Sequence, residues 1–555
     1  MLTHRLTVRG MLTLATVVVL AGCTGGSQPS AAAVASSGAA PSQTVAAAAS
    51  GVPQSTAQAS PSASGPQVLV YASPTTFPDL DPSTGFSDDS AVVSNLYETL
   101  TRYAPPGSNP QIQPLLATDW SQSTDGLTWT FHLRPNVKFH DGTPVNAAAV
   151  KWSIERTMKL GQGGAFIWDP VSSISAPDDL TVVFTLKYKA PMDLIVSSGY
   201  AAWIMSPTTA EGKDNAWFNA GHDAGSGPYM LDSYEKDQRA ILKKFDGYWG
   251  GWKPGQFDTV ILKVVQDAAA RQQMIESGDA DYTFTIPTDN LSTLSANPDV
   301  KVVANPSYQN MMILLNTVKS PTSNLQVRQA LAASFPYQDV IQGTMAGYAT
   351  QSRGAVPASL LDGVDQVPQA SFSLDQAKSL LAQAGYANGG LNLVMTFTAG
   401  DTQEQQAGEL WAADLAKIGV NLEVRSMAWE AQWSLAKGDP NKAQDGFMFY
   451  WWPTYATPYD FMFNLFHSEK SPNFNLGYYN NPAYDTLIDQ ANTQLSSDRA
   501  GAMAKFVQAD TMLVNDAAAI FVYDLQNIHV IRSSLQGFVD NPAYPHVLFA
   551  YTVSR

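Results

Sequence analysis

The sequence predicts an α/β protein of at least two lobes, on three observations. Stretches of the first half alternate apolar and polar residues as half-buried antiparallel strands do: Trp129, Phe131 and Leu133 in one, Val183, Thr185 and Lys187 on the opposite phase of another. The later half reads strand, helix, strand: Leu391, Leu393, Met395 and Phe397 alternate, Gln403 to Ile418 is amphipathic and closed by Gly419, and Leu422 and Val424 begin a new strand. Such a unit requires a parallel pair and a right-handed crossover. Of 555 residues, 45% are hydrophobic and 14% charged, which suffices for a core divided among roughly two to four domains or lobes.

In chain order, the first element is an address. Arg5 and Arg9 precede an apolar run from Met11 to Ala21, and Leu20-Ala21-Gly22 leads into Cys23. A charged region, a short apolar region and small residues predict a signal segment over residues 1–22 that is too short to span a bilayer. Cys23 is the only cysteine, which excludes an internal disulfide. Residues 23–66 are almost entirely Ala, Ser, Gly, Pro, Gln and Thr, with no charge and no aromatic ring. They cannot bury enough surface to offset the entropy of ordering, and predict a disordered tether. Losing residues 1–22 removes two of 32 basic residues and none of the 48 acidic ones, so the net charge of −16 becomes 30 − 48 = −18. That balance excludes nucleic acid as an expected partner.

Beyond the tether, Val68 to Tyr71 reads as a strand. Ser87 to Tyr103 reads as a helix capped by Ser87 or Asp88, with Val92, Val93, Leu96, Tyr97 and Leu100 at three- and four-residue spacing. No internal repeat is visible, and no later run of ~18 apolar residues could cross a membrane.

From Leu127 to Arg156 the chain reads LTWTFHLRPNVKFHDGTPVNAAAVKWSIER. Seven further blocks stand in order along the chain: Asn95 to Arg102 and Pro114 to Trp120 before it, and Gly225 to Tyr229, Phe245 to Gly250, Gly278 to Asp281, Val327 to Leu331 and Ala377 to Tyr386 after it. Together they closely resemble the family 5 extracytoplasmic solute-binding proteins, the oligopeptide- and dipeptide-binding proteins of ABC importers, and the resemblance covers residues 68–550. The start of the chain resembles a bacterial lipobox, whose cysteine takes diacylglycerol.

The resemblance implies a two-lobed periplasmic-binding-protein fold (class II-like, cluster C), with mixed sheets, a hinge and an extra subdomain in the first lobe. Expected boundaries are 67–305 for lobe I with a subdomain at about 106–204, 306–524 for lobe II, and 525–555 for a segment that returns to lobe I. The chain should cross near Asn305 to Asn316 and again near Tyr523 to Asn527. It also implies a monomer anchored through lipidated Cys23 to the outer face of the cell membrane. Its partners would be ABC permease subunits and a peptide or other small solute.

For the solute site, the densest candidate is Phe447 to Phe466, with Phe449, Tyr450, Trp451, Trp452, Tyr455, Tyr459, Phe461 and Phe463 within 20 residues. On an extended segment Trp451 and Trp452 face opposite ways, so one is expected in the cleft. Peptide-binding members of the resembled family carry W-x-x-D-x-x-D-P here, the first Asp holding the peptide's α-ammonium. In this chain those positions are Thr454 and Thr457. A buried ammonium without its partner costs roughly 3–5 kcal/mol, or two to three decades of affinity. The expected solute is therefore a peptide anchored differently, with Asp460 or Asp445 as substitutes, or a neutral polar solute such as an oligosaccharide. Further candidates are Tyr308, Asn310 and Met311 on the hinge strand, Phe284 and Thr285 after Asp281, and Arg353.

Catalysis finds no support: G-x-S-x-G and H-E-x-x-H are absent, and Ser434 to Lys437 matches S-x-x-K without a K-T-G. His132 and His140 lie eight apart across a strand and a turn, not at metal-ligand spacing. No catalytic residue, metal or cofactor is expected. A nickel-complex or haem carrier is the remaining alternative, with His467 as its only local candidate.

Overall fold

Two long antiparallel strands, Val300–Leu315 and Ala519–Arg532, lie at the centre of an eleven-stranded mixed sheet. The computed structural model describes residues 67–106, 108, 111–470 and 473–555; the signal segment, Cys23 and the tether lie outside them. On one flank are Gly446–Trp451, Leu391–Thr398 and Val420–Met427. On the other are Tyr282–Phe284, Val68–Ser73, Thr259–Val264, Arg239–Lys244 and Tyr229–Glu235, and the eleventh strand, Ala349–Gln351, pairs with the second long strand off this order. The ladder between the long strands runs from Val300 opposite Arg532 to Pro306 opposite Gln526 and resumes at Asn310 opposite Asp524. Ser307, Tyr308 and Gln309 thus face only Leu525, a bulge that divides the sheet into two lobes joined by two crossing strands.

The lobe I side of the crossing is anchored. Asp540 accepts hydrogen bonds from Asn305 (3.3 Å) and Asn527 (3.2 Å), and its Oδ1 lies 2.9 Å from His529 Nε2. In lobe II, Leu391–Thr398 and Val420–Met427 pair in parallel from Leu391 opposite Val420 to Thr398 opposite Met427, joined by the helix Thr402–Lys417. A separate four-stranded antiparallel sheet, in the order Ala117–Gln122, Thr128–Leu133, Thr181–Leu186, Val171–Asp178, buries Trp129, Phe131 and Leu133 against Val182, Phe184 and Leu186. Among the described residues no helix is long and apolar enough to cross a membrane.

One expectation differs. The helix predicted over Ser87 to Tyr103 spans only Ser90–Leu96, and Thr101–Tyr103 is a strand. Tyr97 is extended because its neighbour Glu98 is drawn into a buried knot. The Glu98 carboxylate accepts from Ser226 Oγ at 2.9 Å, Tyr248 OH at 3.0 Å and Trp249 Nε1 at 2.9 Å. Three sequence blocks therefore meet at one side chain. The His140-to-Gly142 turn joins them: His140 Nδ1 lies 2.5 Å from Asp223 Oδ1, and Nε2 lies 3.0 Å from the Gly227 carbonyl. Arg328 of another block donates to the carbonyls of Thr322, Ser323, Asp516 and Ala517. In this chain these blocks tie distant segments of the scaffold together.

Candidate functional site

The C-terminal ends of the lobe II strands open into a cavity of about 650 Å³, within the range of roughly 300–1,000 Å³ typical of small-molecule sites. Strand Gly446–Trp451 supplies Phe449, Tyr450 and Trp451 to its wall, and the chain beyond adds Trp452 and Thr454. The helix Trp429–Ala436 presents Trp429, Glu430 and Trp433, the last two tryptophans 5.5 Å apart. Phe474 packs on Trp451 and Trp433 at 5.1 and 5.4 Å. Lobe I contributes Phe86, which rests against Tyr200 at 5.1 Å.

The acidic groups of the wall follow the crossover. Asp401 caps the helix Thr402–Lys417, accepting from the Glu404 amide at 2.8 Å. Glu404 accepts from the Thr398 amide at 2.7 Å. Burial, and then the Asp401 carboxylate nearby, push Glu404 up to about 8, while burial raises Asp401 above the ordinary range. No Lys, Arg or His stands among the lining residues.

The lobes touch around this cavity. Ser198 Oγ donates to the Thr454 carbonyl at 2.7 Å, and the Ala456 amide donates to Tyr103 OH at 3.2 Å. Arg499 reaches Asp193 at 3.3 Å and Gln111 at 3.1 Å, and Gln122 donates to Ser496 at 3.0 Å. Phe166 meets Phe474 with ring centroids 6.3 Å apart. The conformation is closed.

Of the residues singled out in the sequence, the cavity gathers Tyr450, Trp451, Trp452 and Thr454. Both tryptophans line it, rather than one, because the strand ends at Trp451 and the alternation of faces ends with it. The others lie elsewhere. Met311 is core, and Asn310 is fully buried with its amide on the Ala355 carbonyl at 2.9 Å. Phe284 stacks on His546 at 4.1 Å, and Thr285, at φ +52°, gives its carbonyl to Arg271. Tyr308 sits in the bulge and lines a different hollow, on the side of Pro105, Ser359 and Arg499. Tyr455 is buried in the lobe I core beside Tyr103 and Tyr544.

Asp460, 1% exposed, is outside the wall but behind it. Neither carboxylate oxygen makes a well-formed hydrogen bond, although Thr454, Asn464 and Trp451 are close enough to favour its charge; burial dominates and raises it to about 7. Asp445 pairs with Lys319 at 3.1 Å, and Arg353 donates to the Val367 carbonyl. His467 lies against the Ser468 carbonyl (3.0 Å) and Asp489 (3.6 Å), away from the cavity. Among the described residues no cluster of His, Cys, Asp and Glu could hold a metal ion. The sequence reading missed Asp401, Glu404, Trp429, Trp433, Phe86 and Phe474.

The raised carboxyls have a consequence for stability. Asp460 and Asp510 at about 7, Asp524 at about 6 and Glu404 at about 8 hold their protons more tightly folded than unfolded. The unfolded chain then binds fewer protons across this interval, so stability falls as pH rises from about 4 to about 8. Denaturant midpoints should decline over that interval, and Glu404→Gln should flatten its upper part. A midpoint that rises from pH 5 to 8 would contradict these placements.

A sequence profile described as "Bacterial extracellular solute-binding proteins, family 5 Middle" matches residues 111–473. The chain is 30% identical over 485 residues to the "Probable D,D-dipeptide-binding periplasmic protein DdpA" of Escherichia coli, covering 86% of this chain and 92% of that one. It is 30% identical over 495 residues to the "Glutathione-binding protein GsiB" of Pectobacterium atrosepticum, covering 87% and 93%. The periplasmic binding protein DppA of Helicobacter pylori, solved in complex with peptide STSA, superposes with a TM-score of 0.75 over 88% of this chain and 98% of that one, at 24% identity.

Proposed function

The chain belongs to family 5 of the bacterial extracellular solute-binding proteins, and from that premise we propose that it captures a peptide-like solute between its lobes and delivers it to an ABC permease. It is an extracytoplasmic binding protein, not an enzyme. The observation that carries the reading is the cavity at the ends of the lobe II strands, lined by aromatic rings and met by Phe86 of lobe I. Two relatives covered over most of their length are named for dipeptide and glutathione binding, which favours a peptide-like solute. Closure supplies the coupling: contacts made only when the lobes meet favour the closed state by the ligand's differential affinity. Lipidation at Cys23 would hold the body beside the permease, and the tether would let it swing between capture and delivery.

Mass spectrometry of the full chain extracted gently from membranes tests both parts. The intact mass should include a diacylglycerol on a chain that begins at Cys23, and denaturation should release a ladder of masses spaced by amino-acid residues. A single discrete non-peptide mass would overturn the peptide-like reading, and an unmodified Cys23 would overturn the anchor.

A further inference from the structure

We propose that the solute taken by this cavity is an organic cation with an apolar body and no free carboxylate, its charge held by Asp401 and the surrounding indole faces. The proposal rests on the reading of the cavity as the solute site and names the chemistry of its occupant.

Charge complementarity is the first argument. The wall carries Asp401 and Glu430, with Glu404 largely protonated at neutral pH because burial raises it to about 8, and no basic side chain. Lys437, whose ammonium comes within 5.8 Å of the Trp433 ring, donates to Asn473 and is not part of the wall. A ligand carboxylate brought into this space would lose its water without gaining a cationic partner, and would add to the repulsion already there. A ligand cation meets the reverse situation. Asp401 is half-buried and already bound to a helix N-terminus, so its charge is fixed in place.

The aromatic wall is the second argument. Trp429, Trp433, Trp451 and Trp452 line one cavity, and indole faces are the strongest aromatic partners for ammonium and guanidinium groups. A neutral solute would use the rings for burial only; a cation uses their faces and the carboxylate together.

Asp460 is the third and independent argument. It is 1% exposed, its two oxygens lack well-formed hydrogen bonds, and it lies against Thr454 and Trp451 of the wall. A buried carboxyl that burial raises to about 7 therefore lies directly behind Thr454, and a cation in the cavity would draw it toward its charged form. Buried Thr454 stands between that group and the cavity, so the group acts through the wall, and Asp401 is the carboxylate that touches the ligand.

The test is calorimetric titration of the full chain with five probes. Leucyl-phenylalanine amide is a cation, leucyl-phenylalanine a zwitterion, N-acetyl-leucyl-phenylalanine an anion and its amide neutral; 4-phenylbutylammonium is a cation without a peptide bond. The dipeptide amide is expected to bind at least about ten-fold tighter than the zwitterion and than the neutral amide, with the anion weakest. Asp401→Asn should bring cation and neutral amide to within about three-fold of one another; asparagine caps a helix about as well as aspartate, so the fold is kept. A zwitterion or anion that binds as tightly as the dipeptide amide would overturn the inference and leave the peptide-like reading intact. Binding of 4-phenylbutylammonium with no peptide bound would support the inference and overturn the peptide-like reading. Failure of both cations to bind at millimolar concentration would overturn the inference.

Discussion

Replacing Gly225 by alanine is expected to cost about 3 kcal/mol of stability or more, a large share of what a folded protein has. A Cβ there would lie 1.9 Å from the Leu96 carbonyl oxygen and 2.7 Å from its carbon. Two residues on, a Cβ at Gly227 would lie 2.7 Å from the same carbon and 2.8 Å from the Asn95 oxygen. The obstacle is backbone, with no flexible side-chain end to swing aside. Leu96 is also fixed: it ends its helix and accepts the Gly227 amide at 2.8 Å. The matched control is Gly142→Ala, at φ +84° with nothing within 4 Å, where only the left-handed backbone is penalised, by about 1–2 kcal/mol. Urea midpoints of the two variants separate the effects. A Gly225→Ala midpoint equal to that of Gly142→Ala would mean that the close approach is not there.

The second large effect is expected at Glu98. Glu98→Ala strands Ser226 Oγ, Tyr248 OH and Trp249 Nε1, which now share one carboxylate, and unsatisfied buried donors cost roughly 1–3 kcal/mol each. A total of about 3–5 kcal/mol is expected, less than the sum because the emptied space admits some relaxation. Glu98→Gln should cost clearly less: burial already pushes the Glu98 carboxyl up toward its neutral form, and the amide keeps one acceptor. Urea midpoints followed by far-ultraviolet circular dichroism read both variants. Equal losses for Ala and Gln would show that charge, not hydrogen bonding, holds the knot.

Local order was readable in the sequence where it depended on local pattern. The crossover unit from Leu391 to Val424 follows from two alternating runs around one amphipathic run, and the structure pairs its strands in parallel over eight residues. Over Ser87 to Tyr103 periodicity registers Leu100 as one more helical turn, whereas Glu98 is pulled aside by partners more than a hundred residues away. The candidate site was half legible for a similar reason. Aromatic density marks Tyr450 to Trp452 on one stretch of chain, but Trp429 and Trp433 come from another. Asp401 carried two signals. Asp401 with Glu404 is an ordinary helix start, and that part is real. Its place at the C-terminal end of a parallel strand, where open α/β sheets form their binding crevices, is the signal that points to the cavity.

Tyr455 bears on time as well as affinity. Its chain leaves the lobe II sheet at Trp451 and re-enters lobe II at the helix Pro458–Phe466, yet its ring is buried in the lobe I core. The boundary is thus crossed by a loop that goes over and comes back, in addition to the two hinge strands. When the jaws part, either Tyr455 is drawn from its socket or the loop stays behind and the aromatic wall tears between Trp451 and Thr454. Both routes demand breaking a core-like contact before the solute is free. Opening the lobes is therefore expected to cost this buried contact in addition to those made by the ligand, so Tyr455→Ala should shorten the residence time of any bound solute.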